Sequence, residues 1–173
     1  MTSSPALVRA ESLIRAIPDY PQPGVLFRDI TPLLADREAL HATTQALVAP
    51  FLGSFDVVAG IEARGFILAG AAAIAAGTGF VPIRKSGKLP IPAAAVDYAL
   101  EYGTATIEMH EDLSPGARIL LIDDVLATGG TLAAGRTIVE QLGYTVAGIS
   151  VLFEIDGLGG REVVGDVHTV FRS

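Results

Sequence analysis

The sequence predicts an α/β protein with a central, mostly parallel sheet flanked by helices. Two stretches carry this prediction, because each runs from an apolar strand through a tight turn into a helix. The ranges are 56–62, 63–65 and 66–76 for the first stretch, and 119–124, 127–131 and 132–142 for the second. Short apolar runs of this kind are typical of parallel strands that are buried on both faces. The same order of elements in both stretches predicts that the two turns meet at the carboxyl edge of the sheet, where ligands bind in such folds.

Composition bounds the kind of protein and its partners. Half of the 173 residues are hydrophobic and 18% are charged, which favours one compact domain over residues 1–173. The absence of cysteine excludes disulfides and thiol nucleophiles, and the three histidines show no metal-ligand spacing. A net charge of −7 argues against a nucleic-acid partner and against an acidic membrane surface. An anionic small molecule would therefore need a local basic cluster.

Two apolar stretches bear on location. Residues 1–20 carry charges among their apolar residues, so we expect no secretory signal and a cytoplasmic protein. Residues 65–83 lack charge and are nearly long enough to cross a bilayer. Glycine, proline and many alanines interrupt them, so a buried helix followed by a core strand is the better interpretation.

The elements before the first core strand follow from apolar spacing and proline. Spacing predicts a helix over 5–17 with one face on the body, ended by the prolines at 18, 21 and 23. Residues 25–32 mix apolar and charged side chains between prolines and predict a connector that places Leu26 or Phe27 in the core. A second helix is expected over 36–52.

Beyond the alanine-rich helix, residues 79–83 predict another short strand. The segment that follows it, 84–88, holds three cations around a glycine. It is either a solvated hairpin or the local basic cluster that an anionic ligand would need. Residues 89–108 predict a long hairpin arm. A further strand is expected over 146–153, a loop over 156–160, and an edge strand or hairpin over 163–171.

The end of the central strand predicts an anion site. Gly129 and Gly130 allow the backbone to turn and its N–H groups to converge immediately before a helix, which suits a phosphate. Two carboxylates, Asp123 and Asp124, precede this loop and predict hydroxyl groups or a metal ion beside the phosphate. The alternative is a solvated strand end and an ordinary loop with a capping threonine.

The string IDDVLATGGT over 122–131 resembles the phosphoribosyl pyrophosphate (PRPP) motif of type I phosphoribosyltransferases. The resemblance implies that Asp123 and Asp124 hold the ribose hydroxyls and lie near the cationic sugar during reaction. It also implies that the backbone and threonines of the next loop hold the 5′-phosphate. The loop residues are Ala127, Thr128, Gly129, Gly130 and Thr131.

The same resemblance gives roles to cations at the ends of two other strands. Arg64, with the amides around it, is implied to bind the pyrophosphate. Arg84, Lys85 and Lys88 are implied to bind pyrophosphate or phosphate oxygens, of their own site or of a neighbouring subunit's site. The alternative for each is a solvated loop cation.

The string PQPGVLFRDITPLL over 21–34 resembles the signature near the start of adenine phosphoribosyltransferases. It implies that Leu26 packs on one face of the purine, that the backbone at Arg28 binds its polar edge, and that Ile155 covers the other face. The implied type I fold has a small hood, built from about residues 1–35 and 153–173, and a flexible hairpin loop. Arg28 and Asp29 could equally pair with each other and fix the loop.

The string LEYG over 100–103 resembles the mobile hood loop of these enzymes. The resemblance implies that Glu101 and Tyr102 enter the closed site as a lid, where Glu101 assists proton transfer at the base and Tyr102 shields the sugar. Otherwise both are plain hairpin residues.

Together these motifs imply an enzyme that converts adenine and PRPP to AMP and pyrophosphate in purine salvage. The resemblance also implies a homodimer and Mg²⁺, held through substrate oxygens and water rather than by an assigned protein ligand. Two alternatives stay open. One is a phosphoribosyltransferase for another base, such as xanthine or a pyrimidine, and the other is a non-catalytic regulator that binds PRPP as a signal.

Overall fold

A computed structural model describes residues 4–100 and 103–172. The chain divides into two compact units, 1–46 and 47–173. The organisation of residues 1–173 as one domain with a hood stays a prediction.

The first unit contains short helices and one strand pair. Its elements are α1 (Pro5–Ser12), β1 (Arg15–Pro18), β2 (Leu26–Asp29), α2 (Thr31–Ala35) and α3 (Arg37–Val48), of which α3 continues into the second unit. The Ser4 hydroxyl accepts a hydrogen bond from the Leu7 amide, 3.3 Å away, and so caps α1. In the same way a carboxylate oxygen of Asp36 accepts from the amide of Ala39 at 3.0 Å, which confirms the predicted start of the second helix.

Two predictions for this unit are wrong. The first helix ends at Ser12 rather than residue 17, because residues 15–18 pair with β2 in an antiparallel register from Arg15–Asp29 to Pro18–Leu26. For the same reason residues 25–32 are not a plain connector, since they form β2 and the start of α2. The backbone hydrogen bonds of the strand pair outweigh the helical spacing of a few apolar side chains.

The second unit is built on one seven-stranded sheet. Its elements are a 3-10 turn (Ala49–Phe51), β3 (Val57–Ile61), α4 (Arg64–Ala76), β4 (Gly79–Lys85), β5 (Ala94–Leu100), β6 (Gly103–Met109), β7 (Arg118–Leu126), α5 (Gly130–Gln141), β8 (Thr145–Glu154), α6 (Gly160–Val164) and β9 (His168–Arg172). The strand order is β5-β6-β4-β3-β7-β8-β9. Pairing is parallel from β4 through β3, β7 and β8 to β9, whereas β6 is antiparallel to both β4 and β5.

This topology confirms the predicted fold class and places the site. β3 is buried along its whole length, and β7 is buried at most positions, as central parallel strands require. The hairpin arm is confirmed as the pair β5 and β6. Since β3, β4, β7 and β8 run in the same direction, their carboxyl ends meet at one edge of the sheet.

Two boundaries differ from the predictions. β7 continues to Leu126, so Asp123 and Asp124 lie within the strand rather than where it ends, because Val125 and Leu126 still pair with β8. Residues 163–171 are divided between the end of α6 and the parallel edge strand β9. Among the described residues, no helix is both long enough and apolar enough to cross a membrane.

Candidate functional site

Two adjacent carboxylates lie within β7, near its carboxyl end. Asp123 and Asp124 are each 8% exposed, and the backbone N–H of Asp124 donates to Oδ1 of Asp123 at 2.8 Å. Burial raises the pKa of Asp123, and the negative charge of Asp124 raises it further. Burial also raises the pKa of Asp124, although the guanidinium of Arg64 opposes this shift. The pair therefore favours a cation or a hydrogen-bond donor beside it.

The turn after β3 approaches this acid pair closely. Arg64 begins α4, and its Nη2 lies 2.5 Å from Oδ2 of Asp124. A Cβ atom added at Gly65 would lie 2.8 Å from Oδ1 of Asp123, so only glycine allows the turn to pack there. The peptide bond between Glu62 and Ala63 is cis. The turn after β3 and the carboxyl end of β7 therefore come together at one edge of the sheet.

The loop predicted to bind phosphate is constrained by its neighbours. Gly129 has a φ of 85°, in the left-handed region, and immediately precedes α5. A Cβ at Gly129 would lie 2.7 Å from the carbonyl oxygen of Gly160, and a Cβ at Gly160 would lie 2.3 Å from that of Ala127. The loop thus fits against the start of α6 only with small residues, and the first N–H groups of α5 lack helical partners.

The basic segment after β4 is organised by a carboxylate, Glu62. One oxygen of Glu62 accepts from Nη2 of Arg84 at 3.3 Å and from Nζ of Lys88 at 3.0 Å. Its other oxygen accepts from the backbone N–H of Lys85 at 3.0 Å. Burial alone would raise the pKa of Glu62, but the hydrogen bonds from Lys88, Arg84 and Lys85 lower it to about 2.

The local sequence around Glu62 indicates only the end of a strand. A solvated strand end has the same local sequence, so no local signal distinguishes the two. The usable signal is long-range: β3 pairs in parallel with β4 from Val57–Gly79 to Ile61–Ile83, which places Glu62 beside Arg84.

A cavity of about 420 Å³ lies at this edge of the sheet. Its lining combines the strand ends, the loop and the hairpin arm: Glu62, Lys85, Ser86, Tyr98, Ala105, Thr106, Asp123, Asp124 and Thr131. The arm also approaches the loop directly, since a Cβ at Gly130 would lie 3.1 Å from the carbonyl oxygen of Ala99. Tyr98 and Thr106 were not predicted as site residues, because a hairpin pattern does not show which side chains face a distant strand.

The other predicted site residues lie as follows. Leu26 is exposed and Arg28 half-buried, both on β2 of the first unit. Ile155 follows β8, where its N–H donates to the carbonyl oxygen of Leu126 at 3.0 Å. Glu101 and Tyr102 lie outside the described residues. The roles predicted for these five residues stay predictions.

A second cavity, of about 500 Å³, adjoins Ile155 and is lined mainly by residues 154–162. Its loop is fixed by Glu154, which accepts from Nε and Nη2 of Arg161 at 2.7 and 2.8 Å. Arg172 adds an ion pair with Glu154 at 3.1 Å. Hydrogen bonding from Arg161 lowers the pKa of Glu154. The sequence does not indicate this cluster, because Arg161 reaches Glu154 across the loop before α6 and Arg172 reaches it through the pairing of β8 with β9.

Among residues 4–100 and 103–172, no three carboxylate or imidazole groups lie close enough together to hold a metal ion. Asp123 and Asp124 supply carboxylate oxygens to the cavity, whereas both oxygens of Glu62 already accept hydrogen bonds from residues 84–88. Carboxylate oxygens are ligands that Mg²⁺ accepts, and Mg²⁺ commonly completes its coordination with water and substrate phosphates. The two carboxylates therefore fit a Mg²⁺ ion that is also coordinated by oxygens of a bound substrate.

The chain matches the phosphoribosyl transferase domain family over residues 37–171. It is 57% identical over 157 residues to an adenine phosphoribosyltransferase of Thermobifida fusca, covering 90% of this chain and 89% of the relative. It is 56% identical over 163 residues to one of Clavibacter michiganensis, covering 94% and 93%.

Solved structures agree with these relatives. Adenine phosphoribosyltransferase of Thermoanaerobacter pseudethanolicus superposes with a TM-score of 0.92 at 41% identity, covering 96% of this chain and 99% of that one. The Giardia lamblia enzyme in complex with 9-deazaadenine superposes with a TM-score of 0.91 at 40% identity, and the match covers 99% of each chain. The type I fold predicted from the motifs is thereby confirmed. The chain belongs to the adenine phosphoribosyltransferases of the phosphoribosyl transferase family.

Proposed function

We propose that the chain transfers the 5-phosphoribosyl group of PRPP to adenine and releases AMP and pyrophosphate, a purine salvage reaction. The C1′–O bond to pyrophosphate breaks, a C1′–N bond to adenine forms, and the base loses one proton. The observation that carries this proposal is the buried acid pair, which lines one cavity together with Thr131 of the 127–131 loop. A Saccharomyces cerevisiae relative, 32% identical over 95% of this chain, has been solved with adenine and an imino-altritol bisphosphate, which supports the substrate class.

The sugar phosphate has complementary groups on this chain. The amides and threonines of residues 127–131 bind the 5′-phosphate at the N-terminus of α5. Asp123 and Asp124 accept hydrogen bonds from the ribose hydroxyls. As the bond to pyrophosphate breaks, positive charge develops on the ribose, and two adjacent carboxylates stabilise it.

The leaving pyrophosphate has cationic partners in Arg64, Arg84 and Lys88. Arg64 pairs with Asp124 in the described structure. A guanidinium has several N–H donors in a fixed fork, so Arg64 can bind a phosphate oxygen while it keeps one contact with the carboxylate. The acid pair and the pyrophosphate site are therefore electrostatically linked.

Magnesium completes the proposed site. Asp123 and Asp124 would hold the ion, and water and substrate oxygens would complete its coordination. When bound, Mg²⁺ neutralises charge that builds on the pyrophosphate oxygens. The chain's own cations then orient the same group.

The adenine site and the lid belong to the same proposal. Leu26, Arg28 and Ile155 are proposed to contact adenine, and Glu101 and Tyr102 to act in the lid. Substitution of Leu26 or Ile155 by alanine should raise KM for adenine and leave KM for PRPP within about twofold, since apolar contacts to a ring carry base affinity alone.

We also propose a cytoplasmic homodimer. The outer face of α4 is apolar after Arg64 and exposes Ile67 and Ile74, which lie two helical turns apart on the same side of the helix. Contiguous exposed apolar side chains mark interaction surfaces. A second copy of the chain is the occupant implied by the family resemblance.

A base panel tests the activity. Purified protein with PRPP and Mg²⁺ should release pyrophosphate when adenine is added and form AMP in equal amount. Turnover of another base with adenine inert would reject the substrate, and PRPP binding without turnover of any base would indicate a regulator.

A further inference from the structure

Glu62 lies where its charge opposes the proposed ligand. It directly precedes the turn that begins with Ala63 and Arg64, and its side chain is 9% exposed. A pKa of about 2 keeps it ionised at neutral pH. Like charges within a few ångströms repel strongly at a partly buried site, so a carboxylate beside a pyrophosphate needs a compensating role.

The contacts of Glu62 define such a role. Both of its oxygens are engaged, and all three donors lie in the segment 84–88: the Arg84 guanidinium, the Lys85 amide and the Lys88 ammonium. Nη1 of Arg84 also donates to the carbonyl oxygen of Lys88 at 3.0 Å, which closes the segment on itself. One carboxylate therefore fixes the backbone where the segment begins and the cation where it ends.

These contacts leave donors for a ligand. An ammonium has three N–H donors, and the contact with Glu62 uses one of those of Lys88. Nη1 and Nη2 of Arg84 carry two N–H groups each, and the contacts with Lys88 and Glu62 use one on each nitrogen. Glu62 thus orients both cations without using all of their hydrogen-bonding capacity.

The middle of the segment is fixed by a different carboxylate. Glu108 of β6 is buried, and it accepts from the hydroxyl of Ser86 at 2.9 Å and from the amide of Gly87 at 3.2 Å. The segment 84–88 is consequently held from the β3 side by Glu62 and from the β6 side by Glu108. Such preorganisation reduces the ordering that a ligand would otherwise have to impose.

We propose that Glu62 is a positioning residue for PRPP, which acts by holding Arg84 and Lys88 in the orientation that binds the pyrophosphate group. The inference rests on the proposed function. By orienting the two cations, Glu62 strengthens PRPP binding by more than its own negative charge weakens it.

The test is a double-substitution cycle on PRPP kinetics. Glu62→Gln keeps the side-chain shape but turns a charged acceptor into an amide whose NH₂ faces cationic donors, so KM for PRPP should rise about tenfold. KM for adenine should stay within about twofold of wild type. In a Lys88→Met background the same change should cost at most about threefold, because coupled residues are not additive. Glu62→Asp, which keeps the charge, should recover part of the loss.

Glu140→Gln on the exposed end of α5 is the matched control, since it removes one negative charge at a distance from this segment. An unchanged or lower KM for PRPP in Glu62→Gln, or full additivity with Lys88→Met, would overturn the inference. Equal losses for both substrates together with a lower Tm would also overturn it, because they indicate a structural role alone. Absence of turnover by the wild-type protein would instead reject the proposed function.

Discussion

Asp123 and Asp124 stand side by side in the central strand with 8% of each residue exposed. Burial raises the pKa of both, and the charge of Asp124 adds to the shift at Asp123. A carboxyl group whose pKa is raised on folding destabilises the folded state at any pH where the unfolded group is ionised. At neutral pH the acid pair therefore lowers stability, which is typical of residues retained for function.

Replacing Asp123 by asparagine should raise the stability of the protein and lower its activity. The amide carbonyl can still accept the hydrogen bond from the Asp124 backbone, while one buried charge is removed. We expect Tm at pH 7 to rise by about 2–4 °C, as about 1 kcal/mol does in a protein of this size. We expect kcat/KM for PRPP to fall at least about a hundredfold, because a contact to the charged sugar is lost.

The pH dependence supplies a control for that substitution. As pH falls towards the ordinary aspartate pKa of 3.8, the carboxyl becomes neutral in both states and the stability difference between variant and wild type should shrink. Thermal unfolding between pH 7 and 4 measures this. A variant that is less stable than wild type at pH 7 would contradict the interpretation.

At the scale of residues, site residues could be predicted from the sequence where they form one contiguous and distinctive string. The acid pair and the 127–131 loop form one string, so their proximity follows from the chain itself. Glu62 reaches the cavity from the turn after β3, and Tyr98 reaches it from β5. Each is an ordinary residue for its local element, so nothing in the neighbouring residues indicates which cavity it faces.

The turn between β3 and α4 depends on close backbone approach. Gly65 and Gly70 lie on the same helix, yet a Cβ at Gly65 would meet Oδ1 of Asp123 at 2.8 Å, whereas a Cβ at Gly70 meets nothing within 4 Å. Substituting each glycine by alanine therefore compares a crowded position with an open one on the same helix.

Gly65→Ala should displace the turn from the acid pair. We expect a loss of about 1–3 kcal/mol in stability, typical of overpacking, and a rise in KM for PRPP. Gly70→Ala should leave activity unchanged and stabilise the helix by up to about 1 kcal/mol. Denaturant unfolding measures the stability of the two variants, and steady-state kinetics measure their KM for PRPP. Equal stability and equal KM in the two variants would show that the contact at Gly65 is unimportant.

At the scale of elements, long periodic segments were predicted well and short ones were not. The strands and helices of the second unit are near their predicted ranges, because apolar runs and breakers bound them. In contrast, β1 and β2 are four residues each and mostly exposed or half-buried, so they lack an alternating pattern. Their pairing is a backbone property that side-chain spacing does not report.

The whole molecule carries carboxylates with lowered pKa values at several positions. A side-chain hydrogen bond from Arg9 lowers the pKa of Asp36 to about 2, and one from Arg118 does the same for Asp56. A group whose pKa is lowered on folding contributes stability above its unfolded pKa and loses it as pH falls through the folded value. These contributions should therefore be complete at pH 7 and disappear near pH 2.

Asp56→Asn tests this acid dependence. Asp56 accepts from the backbone N–H of Arg118 at 2.9 Å and from its guanidinium, and so joins the starts of β3 and β7. The variant should have a lower Tm than wild type at pH 7 and the same Tm at pH 2. A difference that persists at pH 2 would mean that the contribution does not depend on the charge of Asp56.

The apolar face of α4 makes a prediction about assembly. Ile74 is 84% exposed, and Ile74→Glu would place a charge on that face. Sedimentation should give a wild-type mass twice that of the 17.9 kDa chain, and the variant should be a monomer. Leu52→Glu, at a residue outside α4 that is 59% exposed, should leave the dimer intact. A monomeric wild type, or dissociation by both changes, would reject α4 as the interface.

At the largest scale, the fold class and the family follow from the sequence, while the arrangement of the strands does not. Two strand–turn–helix stretches and the 122–131 string suffice for a parallel sheet with a site at its carboxyl edge. The order β4-β3-β7-β8-β9 and the antiparallel arm depend on long-range pairing. That pairing is what places Arg84 beside Glu62 and Arg172 beside Glu154.

A crystal structure with bound AMP tests the central claim most directly. The account predicts the phosphate on the backbone N–H groups of residues 128–131, with both ribose hydroxyls hydrogen-bonded to Asp123 and Asp124. A phosphate bound instead at residues 84–88, or a ribose without contact to the acid pair, would contradict it.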